Sequence, residues 1–346
     1  MKIKKKLFLC TVITVLITLV LTACSVNNDV DTKLTTKYCE KEVIYFENPS
    51  EDFCFTKKIG DNVEFVELEA EIQNIINQVE TYLYQYIIKE YNLDWKFTKT
   101  EVKVLDFSKI ADGEYATYAA MADPCCNIIY LNARLSTFED LIYRYTHELV
   151  HCLIFYNEGS YKFVLLDGNG GNIGYYVGEA FTDLIAADCL KGLGEEKPVD
   201  YFLRSSGYAS TLAALQALEL SIPDMKEMYL KLEAEEFCKR INDLGKMHIS
   251  DGETVNYGEI FLYQADLNLK SSHSIIYAQN EQEYNNFANI FLRTSFGNYE
   301  IVLGISNGLE LEKENQAFEF IDNLFEIEGK NSQIEEYLNY FKSCLN

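Results

Sequence analysis

The stretch of this chain whose residue types and spacing best suit chemistry is His147-Glu148-Leu149-Val150-His151. On an α-helix, residues i and i+4 lie one turn apart on one face, so two imidazoles at that spacing can bind one metal ion. The carboxylate that follows the first His lies beside the pair, within reach of a water molecule at the metal. The chain has four His, and two of them fall here. Composition alone would produce the pattern roughly 0.005 times in such a chain. The plainer alternative is two surface His on an amphipathic helix. It must contend with Tyr145, Leu149, Val150, Leu153 and Ile154, which surround the pair with apolar side chains. Two buried His with a Glu between them need partners.

Such a pair suits zinc, one Zn²⁺ per chain, and a catalytic zinc takes three protein ligands plus water. A Gly and a third His after the motif would indicate the metzincins, but those positions hold Ile154 and Asn157. The other common third ligand is a Glu on a following helix. Gly178-Glu179-Ala180-Phe181-Thr182-Asp183 supplies Glu179 as that candidate. Asp183 lies one turn further on and can accept a hydrogen bond from the free ring N–H of a ligand His, fixing its tautomer. An exposed acidic face is the alternative in a chain with 54 Asp and Glu. The neighbours Ala180, Phe181, Leu184, Ile185, Ala186 and Ala187 argue against it.

These side chains need helices to carry them. Leu141, Tyr145, Leu149 and Leu153 form an i, i+4 stripe, which predicts a helix over about 137–156. Ser136 and Glu139 have capping-box spacing at its start. A Gly-rich loop over 167–174 leads to a second predicted helix over about 176–193. Upstream, the pattern predicts a long helix over 63–91, a β-rich stretch over 95–107, and short strands over 115–121 and 127–131. Downstream, helices are expected over 210–220, 223–244, 281–292, 314–325 and 332–343. Beyond Ser250 no residue shows recognisable chemistry, and the Glu and Asn content suggests a solvated helical surface. The order is α+β, strands in the first half and helices in the second.

At His147-Glu148-x-x-His151 followed by Glu179-x-x-x-Asp183, the chain resembles the gluzincins, the thermolysin-like zinc metallopeptidases. The resemblance covers about Trp95–Leu193 in element order and is sharp at these five residues. It implies a zincin-like fold: a small mixed sheet with an edge strand, the motif helix, then a mainly helical C-terminal lobe. Asn127–Leu131, the last strand before the motif, would be the edge strand that pairs with an extended peptide. It further implies that His147, His151 and Glu179 hold zinc, that Asp183 supports a ligand, and that Glu148 is the general base. A donor from the helical lobe would stabilise the oxyanion. Tyr208 is preferred, with His248 or His273 as alternatives and Tyr175 or Tyr176 as a fallback. Exopeptidase relatives carry a Glu before the motif, and Ala119-Ala120-Met121-Ala122-Asp123 lacks it. That leans towards an endopeptidase acting on peptide or protein substrates.

Composition sets the compartment and excludes some partners. The 346 residues carry a net charge of −24, which repels nucleic acid. Met1–Lys6 is basic, 7–23 is uncharged and apolar, and Leu21-Thr22-Ala23-Cys24 resembles a bacterial lipobox. Residues 1–23 thus read as a lipoprotein signal peptide and Cys24 as the lipid attachment site. The expected location is the bacterial cell surface, lipid-anchored to the outer face of the cytoplasmic membrane. A transmembrane signal anchor is the alternative, though the apolar run is slightly short for a span. Residues 24–60 read as a tether and N-terminal segment, 61–156 as an α/β subdomain ending in the motif helix, and 157–346 as a helical subdomain. Cys39, Cys54, Cys125, Cys126, Cys152, Cys189, Cys238 and Cys344 remain; export permits disulfides, but no pairing follows from the spacing.

Two rival readings belong to other classes. Gly168-x-Gly170-x-x-x-Gly174 after a predicted strand has some of a dinucleotide-binding turn, but its third Gly is one position late and a βαβ context is missing. A lipid-anchored binding protein or inactive zincin-like module would also carry the lipobox, but a structural zinc site would not need Glu148.

Overall fold

The computed structural model describes residues 55–60, 63–95, 99–110, 115, 118–123, 127–135, 138–160, 162–166, 172–194, 209–248, 254–276, 282–283 and 301. The signal segment, Cys24, Ser136, Tyr208, most of 281–292, and the helices expected over 314–325 and 332–343 lie outside them.

Four strands form a small mixed sheet. They are β1 (Phe65–Val66), β2 (Glu101–Leu105), β3 (Ala120–Asp123) and β4 (Ile128–Asn132), in the order β1-β2-β4-β3. β2 and β4 run parallel; the other pairings are antiparallel. All five residues of β4 are buried, as an interior strand of Ile, Tyr and Leu requires. Its side chains divide with period two: Ile129 and Leu131 join the main core, Ile128 and Tyr130 a smaller one behind the sheet. Among the described residues β3, not Asn127–Leu131 as the sequence suggested, is therefore the edge strand next to β4. The last strand before the motif is apolar on both faces, so it takes a neighbour on each side.

The long helix expected from Val63 starts later, as α1 (Ala70–Tyr91). Phe65 and Val66 instead extend the sheet opposite Leu105 and Val104, as suits an aromatic and a β-branched residue. Ile76, Val79, Leu83 and Ile87 make the buried stripe of α1. Behind the sheet, a 3-10 turn at Phe55–Lys58 closes the smaller core with Phe107, Tyr115 and Tyr130. Thr56 donates its amide to Asp123 at 2.7 Å, fastening this turn to the end of β3.

The helices follow. α2 (Phe138–Glu158) covers the other face of the sheet, and a hairpin of β5 (Leu165–Leu166) and β6 (Asn172–Ile173) leads into α3 (Tyr175–Gly192). β5 and β6 pair antiparallel, so the Gly-rich stretch joins a hairpin and the dinucleotide-binding reading fails. Next come α4 (Ala209–Glu219), α5 (Met225–Leu230) and α6 (Ala234–Leu244). The single helix expected over 223–244 is broken at Leu232, which adopts φ 56°. There Glu233 N–H donates to the Met228 carbonyl and Leu232 N–H to that of Tyr229, a Schellman ending in which Leu replaces the usual Gly. Burying the Leu232 side chain outweighs the left-handed strain.

A short hairpin of β7 (Lys246–His248) and β8 (Thr254–Asn256) leads to α7 (Tyr257–Ile276). α7 overturns the expectation of a solvated surface after Ser250. Phe261, Leu262 and Ala265 are buried in the main core, and the helix packs on α3, α4 and α6. Lys226 on α5 ties this lobe together, donating to Asp188 of α3 and Glu219 of α4, each at 2.6 Å. Cys152, Cys189 and Cys238 are buried and not joined in disulfides. No helix among the described residues is long and apolar enough to cross a membrane.

At Gly258 the backbones of α6 and α7 nearly touch: an added methyl would collide with the Cys238 carbonyl oxygen and Asn242 Oδ1. Gly258 N–H also donates to Asn242 Oδ1 at 2.9 Å. Gly258→Ala is expected to destabilise the protein by about 1–3 kcal/mol, as overpacking does; thermal unfolding measures it.

Candidate metal centre

α2 and α3 pack against each other and bring the candidate residues together. α2 is buried nearly all round: Ile142, Tyr145, Leu149, Val150, Leu153 and Ile154 are all inside. Its far end is tied to the chain after α1 by Trp95 Nε1, which donates to Glu158 Oε1 at 3.0 Å. On α3, the closeness of Gly178 to Phe163 and Tyr229 seats the turn that bears Glu179: a methyl there would press on Phe163 Cβ at 3.2 Å. Phe181 stacks on Tyr229, with ring centroids 5.0 Å apart, and Tyr229 shares a 2.6 Å hydrogen bond with Thr182. Two rigid helices thus set the spacing of the polar groups between them.

His147, His151 and Glu179 offer one ligand atom each within a common sphere and can hold a metal ion. His147 Nε2 and His151 Nε2 lie 3.2 Å apart, and Glu179 Oε2 lies 3.2 Å from the first and 3.3 Å from the second. The three atoms form a nearly equilateral triangle. On the opposite side of the His147 ring, Nδ1 donates to Asp183 Oδ1 at 2.7 Å. Asp183 is fully buried, so this acceptor is fixed. With Nδ1–H so engaged, Nε2 of the neutral ring presents its lone pair to the centre of the triangle.

The electrostatics favour a cation at that centre. Burial acts to lower the His147 pKa, but the charge and hydrogen bond of Asp183, the hydrogen bond of Glu179 and the charge of Glu148 push it up to about 10. Burial acts to raise Glu179, yet the charge of His151 and the hydrogen bonds of both imidazoles hold its carboxyl below the usual range. Two carboxylates thus draw positive charge, proton or metal, onto the imidazoles.

Glu148 leaves the triangle and turns to the sheet, where its Oε2 accepts the Ala122 amide of β3 at 2.8 Å. That amide points away from β4, off the free side of β3. The sequence gives no hint of this contact, because it depends on which strand forms the edge. Tyr176, in the first turn of α3, is raised in pKa by burial and by the nearby charges of Asp266, Glu179 and Tyr118. His248 ends β7 and His273 lies in α7. Tyr208 lies outside the described residues.

No family model, no curated protein and no solved structure matches this chain.

Proposed function

We propose that the chain is a zinc-dependent peptidase of gluzincin type that hydrolyses peptide bonds with Glu148 as general base. The observation that carries this reading is the triangle of two imidazole nitrogens and one carboxylate oxygen, with edges of 3.2, 3.2 and 3.3 Å. Zinc bonds of about 2.0–2.1 Å in a tetrahedron place ligand atoms about 3.3 Å apart. Three protein ligands leave a fourth position open, the pattern of a catalytic site.

A zinc ion held by His147, His151 and Glu179 would supply Lewis acidity, acidifying water and polarising the scissile carbonyl. Glu148 takes the proton of the attacking water and passes it to the leaving amine. The Ala122 amide aims the Glu148 carboxylate for that transfer. Asp183 keeps His147 in the tautomer that a metal ligand needs. β3 has one strand neighbour among the described residues, and its other side, apart from the Ala122 amide that Glu148 takes, suits an extended peptide bound through main-chain hydrogen bonds. Tyr176, whose phenol feels the Glu179 charge, is a fallback donor to the oxyanion. Tyr229 also feels the Glu179 charge, but its hydroxyl is engaged with Thr182. Tyr208 remains the other candidate for that role. The same reading places the protein at the bacterial cell surface through a lipid on Cys24.

Glu148→Gln is expected to keep zinc at one ion per chain and to lower kcat about 10²–10⁴-fold. Zinc analysis with cleavage of a peptide library checks both halves, and a folded wild-type chain without zinc defeats the reading. Asp183→Asn is expected to weaken zinc about 10–100-fold, because an amide supports the ligand His less well than a carboxylate. Competition with a chromophoric chelator measures this, and affinity should fall further as pH drops and protons occupy the ligands. Cys24→Ala is expected to abolish incorporation of labelled fatty acid in cells; retained label would remove the lipoprotein assignment.

A further inference from the structure

The start of α3 lacks a cap of its own. Its N-cap residue is Gly174, at φ 88°, with no side chain to accept an amide, and its first turn holds no acid. The Gly174 carbonyl takes the amides of Val177 and Gly178. The amides of Gly174 and Tyr176 go elsewhere, to a residue about ninety positions later. Asp266 Oδ2 accepts from Gly174 at 2.9 Å, and its Oδ1 accepts from Tyr176 at 3.2 Å. Asp266 lies on α7 and is 6% exposed.

The contact is built for close approach. Leu262, one turn before Asp266 on α7, would sit 3.0 Å from a methyl added at Gly174. A side chain there would press α7 back from the two amides. The Asp266 carboxylate also suits the positive end of the helix dipole. What it holds is the turn on which Glu179 depends: in an α-helix the Glu179 amide bonds to the Tyr175 carbonyl, the first residue of α3. If that turn frays, Glu179 loses its main-chain support, and Tyr176 moves with it.

We propose that Asp266 is a positioning residue for the third metal-ligating carboxylate, capping α3 from α7 so that Glu179 stays in register with His147 and His151. This rests on the metal reading above. It makes α7 part of the site's architecture, although it contributes no ligand.

Asp266→Asn tests it in the full-length chain. An amide side chain can accept one of the two N–H groups but sets its own NH₂ against the other. Ile87→Val, in the buried stripe of α1, serves as a control that loosens the core away from the site. Zinc affinity is read by chelator competition, ligand geometry by the visible spectrum with Co²⁺, and order of the 172–180 segment by amide hydrogen exchange. The expected result is zinc affinity reduced about tenfold, an altered Co²⁺ spectrum and faster exchange in 172–180, none of which Ile87→Val reproduces. Asp266→Ala should exceed Asp266→Asn; if it does not fold, Asp266→Asn decides alone. A wild-type chain that binds zinc, with an Asp266→Asn variant equal to it or to Ile87→Val, overturns the role of Asp266 and leaves the metal reading intact. A wild-type chain that binds no zinc defeats the metal reading, and the inference falls with it.

Discussion

Two imidazoles and two carboxylates share one water-poor contact between α2 and α3, and each is tolerable there because of the others. An isolated buried carboxylate or imidazolium would cost several kcal/mol. Here Asp183 is satisfied by His147 Nδ1, and Glu179 sits against both Nε2 atoms. The two Nε2 atoms and the Glu179 oxygen stand nearly equidistant from one another. The remainder of the fold keeps that mutual arrangement fixed.

The sheet contributes from the other side. β4, buried on both faces, is the rigid member, and β3 hangs on it as the edge. Small residues at Ala120 and Ala122 let α2 lie close to that edge, so the Ala122 amide reaches Glu148. The end of β3 is fixed by Thr56 through the fully buried Asp123. The strand beside the site is thus braced by a segment far upstream in the chain.

What could be read from the sequence follows the range of the physical rule. Helical spacing is local, so the meeting of His147 with His151, and the shared face of Glu179 and Asp183, were legible from residue order. Helices α2 and α3 were legible for the same reason, from dense apolar stripes. Strand order was not legible: it depends on which neighbours compete for β4, and its two apolar faces signal an interior strand only in hindsight. The break at Leu232 was hidden because a buried Leu replaces the Gly that usually marks a helix end. Asp266 was missed for a related reason. It is one acid among 54, in a helix whose burial arises from packing against α3 and α6. A usable signal existed: Phe261, Leu262 and Ala265 share its face, and a lone acid in an apolar stripe needs a partner.

The acid excess has a second meaning. Most of the 54 acidic residues can be solvated surface, but the carboxylates most deeply buried among the described residues are Glu80, Asp123, Asp183 and Asp266. Glu80 accepts the Thr100 amide, Asp123 that of Thr56, and Asp266 those of Gly174 and Tyr176, while Asp183 accepts from an imidazole. Each of these bonds joins segments at least 20 residues apart. A carboxylate suits the task because it only accepts, offers several lone pairs, and forms charge-assisted bonds stronger than neutral ones. An amide in its place would put a donor against a donor. Two of the four stitches end on α3 and a third on β3, which flank the triangle on opposite sides. Burying charge in this fold is therefore concentrated where position matters most, around the point at which His147, His151 and Glu179 converge.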